Sequence, residues 1–263
     1  MDEREKIETE IGSHPAPETF FIKVTKDGPY LVYGKPPIDQ EIIVPNGEGS
    51  SWEYRKGKSF TPSTEPVALC RCGHSKNKPF CDGCHIHVSW DPNETSSKEP
   101  LLEGAVGYDG PTQFLADNEK YCAFARFCDA YGKIWNLVTR SQTKEEQELV
   151  RHEAEYCPSG RLVLFDKETN KVYEPPFSPS IGLIEDPVMK VSGPIWVKGG
   201  IRIESADGES YEIRNRVTLC RCGMSSNKPF CNGAHASVQF RDGLYEENVQ
   251  NADATQKQEA SLQ

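Results

Sequence analysis

The chain has 263 residues, 36% of them hydrophobic, and a net charge of −10 at pH 7; that length suits one large domain or two to three small ones, and so acidic a surface argues against binding a phosphate backbone. No apolar run nears the ~20 residues of a membrane helix, and the opening MDEREKIETE has neither the basic start nor the apolar stretch of a secretory signal. The expectation is a cytoplasmic protein with no nucleic-acid or membrane partner, whose ten cysteines sit in a reducing compartment, where cysteine clustered with histidine points to metal rather than to disulfides.

Residues 1–18 are acidic and read as disordered. In the first unit, 19–99, the apolar run Tyr30-Leu31-Val32-Tyr33 between Gly28-Pro29 and Gly34 predicts a strand. Further strands are expected at 42–44 and 52–55, with PNGEGSSWEYRKGK as a loop or hairpin. The unit carries LCRCGHSKNKPFCDGCH, Leu69 to His85. A different middle segment follows, 100–186. Strands are expected there at 134–138 and 161–166. Between them lies a helix opened by a Thr143/Glu146 capping box, continued through Leu149, Val150 and Ala154, and ended by Pro158. The second unit, 187–240, repeats the first: Gly193-Pro194-Ile195-Trp196-Val197-Lys198-Gly199 matches the earlier strand, and LCRCGMSSNKPFCNGAH, Leu219 to His235, matches the earlier motif 150 residues on. Strands are also expected at 211–214 and 217–219. The tail, 241–263, is polar and aperiodic and reads as disordered. The fold class is therefore α+β, mostly β: two small β-rich units pairing within one chain as a pseudo-dimer, flanking an α+β insert, the whole a monomer with internal pseudo-symmetry.

Each motif presents three thiols and one imidazole within 16 residues: Cys70, Cys72, Cys81 and His85, then Cys220, Cys222, Cys231 and His235. Three soft thiolates with one imidazole suit an iron–sulfur cluster or zinc. Zinc fingers usually space paired ligands by two to four residues and set the pairs far apart, so Cys-x-Cys followed by Cys-x3-His is an unusual zinc layout, and zinc stays the alternative. Arg71, Lys76, Lys78, Arg221 and Lys228 put positive charge near the thiols, where most are expected as solvated surface charges.

The motif resembles that of the CDGSH iron–sulfur (NEET-type) family. Cys70, Cys72, Ser75, Pro79, Cys81, Asp82, Gly83 and His85 match, as do Cys220, Cys222, Ser225, Pro229, Cys231, Gly233 and His235. Cys84 stands where the family has a small residue and is expected to pack rather than ligate. Asn232 stands where the family has Asp, which is expected to alter hydrogen bonding near His235 without removing a ligand. The resemblance implies two [2Fe–2S] clusters, each on three cysteines and one histidine. One neutral imidazole in place of a thiolate places the potential above that of plant-type ferredoxins, roughly −400 mV. Protonation of the histidine would loosen the cluster.

Cys122, Cys128 and Cys157 remain. The run Cys122-Ala-Phe-Ala-Arg-Phe-Cys128 with the later Cys157-Pro158 resembles a mono-cluster bacterial ferredoxin in which Ala125 replaces the middle cysteine. The resemblance implies a third site with these three thiols as ligands, holding [3Fe–4S] or [4Fe–4S]. His152 is expected as a surface helix residue rather than a ligand, and Trp135 and Trp196 as core. No nucleophile–base pair or nucleotide fingerprint occurs, so no enzymatic activity is expected. The expected function is iron–sulfur cluster binding for electron transfer. The alternative is a cluster donor or store that releases its cargo through the histidine. The expected partners are redox or cluster-acceptor proteins.

Overall fold

The computed structural model describes residues 16–244, so the expectations for 1–15 and 245–263 lie outside the described residues. The first half contributes strands β1 (Phe21–Val24), β2 (Tyr30–Tyr33), β3 (Ile38–Pro45), β4 (Ser51–Phe60) and β5 (Val67–Leu69). The middle contributes β6 (Val106–Asp109), β7 (Gln113–Asp117), helices α1 (Ile134–Arg140) and α2 (Lys144–Glu155), β8 (Leu162–Asp166) and β9 (Val172–Tyr173). The second half contributes β10 (Ser180–Asp186), β11 (Val191–Lys198), β12 (Arg202–Glu204), β13 (Arg216–Leu219) and the single turn α3 (Ala234–Ser237).

The two repeats do more than pair: each lends a strand to the other's sheet. In one sheet the order is β12-β1-β2-β5; in the other it is β13-β11-β10-β3-β4. The registers correspond. Val32 faces Val67 as Val197 faces Val217, and Ile22 faces Val32 as Ile181 faces Val197. The lent strands both add in parallel, Ile203 beside Ile22 and Ile38 beside Ile181. A local cause is visible in each copy. The chain leaves β2 through Gly34 (φ 83°) and Lys35 (φ 54°), and leaves β11 through Gly199 (φ 73°) and Gly200 (φ 72°). This left-handed backbone, which glycine tolerates best, turns the chain away from its own sheet and toward the partner repeat. Alternating residues of both sheets, Ile22, Val32, Leu69, Ile181, Ile195 and Leu219 among them, then close on one shared core. The strand β10, inside the interval read as the middle segment, is a central strand of this paired unit.

The additional length of the first copy is the hairpin β3–β4. Its turn is organised by Asn46, whose Oδ1 accepts from the amides of Glu48 and Ser50. The hairpin reaches the middle segment: Trp52 stacks on His152 with ring centroids 3.8 Å apart, and Tyr54 lies 4.7 Å from Phe127. The His152 ring therefore neither ligates nor stands free on the surface; it lies half-buried on Trp52, its Nε2 2.9 Å from the Trp52 carbonyl oxygen.

The middle segment is a four-stranded antiparallel sheet, β6-β7-β8-β9, with α1 and α2 packed on it. The capping box of α2 is present, Glu146 N donating to Thr143 Oγ1 and Thr143 N to Glu146 Oε2. Two expected strands are corrected. Residues 134–138 form most of α1, because Ile134, Leu137 and Val138 fall at helical spacing and bury one face, while Trp135, half-buried, donates its Nε1–H to Asp117. Residues 211–214 are irregular: buried Tyr211 and Arg214 pack against Phe230 instead of extending a ladder. Among the described residues no helix is long and apolar enough to cross a membrane.

Candidate metal centres

The two motifs fold alike, and their non-ligand residues explain how. Each follows a strand end, β5 or β13. Cys70 N donates to Pro79 O and Cys81 N to Ala68 O; Cys220 N donates to Pro229 O and Cys231 N to Thr218 O. Ser75 Oγ bridges the loop by donating to Phe80 O and accepting from Asn77 N, and Ser225 does the same with Phe230 and Asn227. A left-handed glycine, Gly83 or Gly233, then starts a helical turn that brings the histidine back toward the thiols.

The ligand candidates meet in pairs. The sulfurs of Cys70 and Cys72 are 3.8 Å apart, as are those of Cys220 and Cys222. Cys81 Sγ lies 3.3 Å from His85 Nδ1, and Cys231 Sγ 3.5 Å from His235 Nδ1. A tetrahedral metal with metal–sulfur bonds of about 2.3 Å sets its sulfurs about 3.8 Å apart. Among the described residues no three such side chains group around one ion. Two separated pairs fit a binuclear cluster, two ligands to each iron, better than mononuclear zinc, which draws all four ligands to one point. Backbone amides of His74, Gly83 and Gly233 donate to Cys72, Cys81 and Cys231 respectively, which favours thiolate. Hydrogen bonding between the paired sulfurs holds one thiol of each pair down, Cys72 in the first motif and Cys220, to about 6, in the second. Burial, with Arg221 adding to it, pushes His235 down to about 4, keeping the imidazole in its neutral, ligating form.

The sites touch and differ. A side chain on Gly73 would strike the main chain of Cys222, and one on Gly223 that of Cys72, so the two Cys-x-Cys loops meet back to back. Arg71 and Arg221, expected as solvated, are buried, and so is Lys228. Arg71 donates to the carbonyls of Gly28, Thr25, Lys26 and Pro92 and has an aromatic neighbour in Trp90. Arg221 instead pairs with Glu185 and Asp242. Asp242 lies in the interval read as disordered tail, yet it is packed against β11 and accepts from Ser192 Oγ. Cys84 Sγ lies 4.0 Å from Cys72 Sγ, at the edge of the ligand set. The Asp82/Asn232 exchange acts within the loop: Asp82 accepts from the amides of Lys76 and Cys84, Asn232 from that of Ala234 while donating to Ser226.

Exposure separates the two motifs most. Cys81 and His85 are half-buried, whereas Cys231 is 2% and His235 4% exposed. The cover on the second motif is the middle segment. A side chain on Gly233 would meet Phe124 Cβ at 3.0 Å and the Cys122 carbonyl at 3.3 Å. Asn227 donates to Lys120 O, and Tyr121 packs edge-on to Phe230. Tyr30, read only as part of a strand, buries its hydroxyl against the second motif, donating to Cys220 O and Pro229 O. Its repeat partner is Ile195, an apolar-to-polar difference between the copies that marks Tyr30 in the sequence.

The three remaining cysteines, Cys157 lying 29 residues beyond Cys128, line one small cavity of about 20 Å3 together with Ala125, Phe127 and Arg161. The loop between Cys122 and Cys128 wraps it with Phe124 and Arg126 in left-handed conformation, φ 52° and 65°. Ala125 is buried at the place of the missing cysteine. Burial pushes the Cys128 thiol up, and Cys157 adds to the rise. Cys122 is the link between sites: its side chain lines this cavity, and its carbonyl oxygen lies against Gly233 of the second motif.

Comparison with known proteins agrees with this arrangement. Residues 27–86 and 192–236 match the family described as iron-binding zinc finger CDGSH type. Residues 108–167 match the family described as divergent 4Fe-4S mono-cluster. No curated protein and no solved structure matches the chain significantly. The chain has the tandem two-motif CDGSH form, with a segment similar to mono-cluster ferredoxins between its motifs, and it is an iron–sulfur cluster-binding protein.

Proposed function

We propose that the chain transfers electrons through three iron–sulfur centres. Cys70, Cys72, Cys81 and His85 hold one [2Fe–2S] cluster, and Cys220, Cys222, Cys231 and His235 hold a second. Cys122, Cys128 and Cys157 hold a [3Fe–4S] or [4Fe–4S] cluster. The observation that carries this reading is the packing of Gly233 against Cys122 and Phe124, which sets the second motif directly on the middle cysteine loop. With the two CDGSH loops also in contact through Gly73 and Gly223, the order middle, second, first is continuous. The half-buried His85 makes the first site the outlet toward a redox partner protein. On this reading the protein is a carrier rather than an enzyme.

Anaerobic purification with iron and sulfide analysis and EPR tests it. About seven irons per chain, with a signal already present in the oxidised protein, are expected for two [2Fe–2S] centres and one [3Fe–4S]. About four irons, EPR-silent when oxidised, would leave the middle cavity without a cluster and break the wire. A colourless protein holding zinc would sink the reading.

The exposure of His85 and Cys81 favours a second reading, a cluster donor acting through the first motif. A His85→Cys variant separates the two: a carrier persists at a lower potential, whereas a donor keeps its cluster and stops delivering it to an apo acceptor.

A further inference from the structure

The two metal loops are built alike, yet only the second is crossed by another stretch of chain. Lys228 O accepts the amides of Thr95 and Ser96 at 2.8 and 2.9 Å, and Ser226 O accepts the Thr95 hydroxyl at 2.8 Å. Asp91, in the same irregular segment of the first repeat, lies 3.8 Å from Lys228 Nζ. Glu94 anchors the segment further, accepting from the Tyr211 hydroxyl at 2.8 Å and from Ala206 N at 2.7 Å. The second loop thus shows how such a loop holds a peptide: two of its carbonyls take the donors of the segment, and a lysine faces its carboxylate.

The first loop presents the same groups without the segment. Lys76 and Lys78 stand where Ser226 and Lys228 do, 150 residues earlier. Lys78 Nζ donates to Ser75 O at 2.6 Å, as Lys228 Nζ does to Ser225 O. Among the described residues neither Lys76 O nor Lys78 O accepts a hydrogen bond, and neither ammonium has a carboxylate partner. The described chain beyond the second motif supplies none: Arg241 stands where the first repeat has Asp91, and it donates to Lys190 O. Lys76 is exposed, and Lys78 is half-buried where Lys228 is 4% exposed. Asp82 ties this loop to the turn that carries His85, its carboxylate accepting from Lys76 N and Cys84 N.

Two unpaired ammoniums beside open carbonyls select an acidic segment that brings its own donors. We propose that loop 76–78 is the docking site for an acidic segment of the partner protein, held as residues 91–96 are held on the second loop: adjacent amides on Lys78 O, a hydroxyl on Lys76 O and a carboxylate at Lys78 Nζ. That the partner is a redox protein served by the outlet at His85 rests on the carrier reading above; that the segment binds does not.

Fluorescence anisotropy of a labelled peptide with the sequence of residues 91–97, added to the full-length protein, tests the proposal. A saturable rise that weakens with added salt is expected. N-methylation of the peptide at the two amides that match Thr95 and Ser96 is expected to weaken binding about tenfold, since it removes both backbone donors. Lys76→Ser, which gives the first loop the residue of the second, and Lys78→Met are each expected to weaken it about two- to fivefold, the worth of an exposed ion pair. No rise, a rise unchanged by N-methylation, or one unchanged in both variants overturns the proposal. Iron and sulfide content and visible absorption of the same preparation report separately on the clusters. Clusters in place without peptide binding sink the docking site alone, and peptide binding by a colourless protein holding zinc sinks the carrier reading alone.

Discussion

The hydroxyl of Tyr30 donates to the carbonyl of Cys220 at 2.9 Å, joining a strand of the first repeat to the metal loop of the second across 190 residues of chain. The bond is fully buried, and the second acceptor, Pro229 O, already receives Cys220 N. Tyr30→Phe leaves the Cys220 carbonyl without its partner. The expected cost is about 1–2 kcal/mol of stability, read by denaturant unfolding. Faster cluster loss from the second motif is expected with it, read as decay of visible absorption.

Two glycines with nearly identical backbone should respond differently to alanine. Gly73 and Gly83 have φ of 82° and 83°, but a Cβ on Gly73 would enter the Cys222 main chain, whereas one on Gly83 meets open space. Gly83→Ala should cost about 1–2 kcal/mol, the left-handed penalty alone. Gly73→Ala must also push the two Cys-x-Cys loops apart, and should lower the melting temperature further and impair both clusters. Equal effects would contradict the back-to-back contact.

The unequal cover of the two motifs predicts biphasic loss of iron to a chelator. The first motif, with half-buried Cys81 and His85, should empty first. The second, beneath Cys122 and Phe124, should empty slowly. Phe124→Gly, which removes the Cβ that lies against Gly233, should accelerate the slow phase and leave the fast one unchanged, followed by absorbance during chelation.

Glu153 makes stability fall as pH rises. It is buried on α2 with neither carboxyl oxygen hydrogen-bonded, and desolvation, with Asp129 adding to it, pushes it up to about 8. The unfolded chain releases this proton near the ordinary value of about 4.3, so the folded state binds more protons between the two values. The stabilisation is therefore fully present below about pH 4.3 and is lost as pH climbs through 8. Glu153→Gln should remove this part of the decline, measured as unfolding free energy against pH. An unchanged slope would place the titration elsewhere.

What could be read from residues alone was local. The ligand candidates of each motif lie within 16 residues, so their loop is encoded by neighbours: Ser75 and Ser225 bridging it, Gly83 and Gly233 turning it toward the histidine. The capping box of α2 and the additional hairpin were legible for the same reason. The run at 134–138 was not, since Ile134, Trp135, Leu137 and Val138 satisfy strand propensity and helical spacing alike, and only burial against Leu115 and Leu164 decides. Tertiary structure alone settled the exchange of β3 and β12 between sheets and the burial of Arg71 and Arg221, whereas the grouping of Cys122, Cys128 and Cys157 around one cavity was already implied by the resemblance of their run to a mono-cluster ferredoxin. It also made two nearly identical motifs unequal, because exposure depends on which distant segment packs over a loop, and residues 120–124 cover only the second.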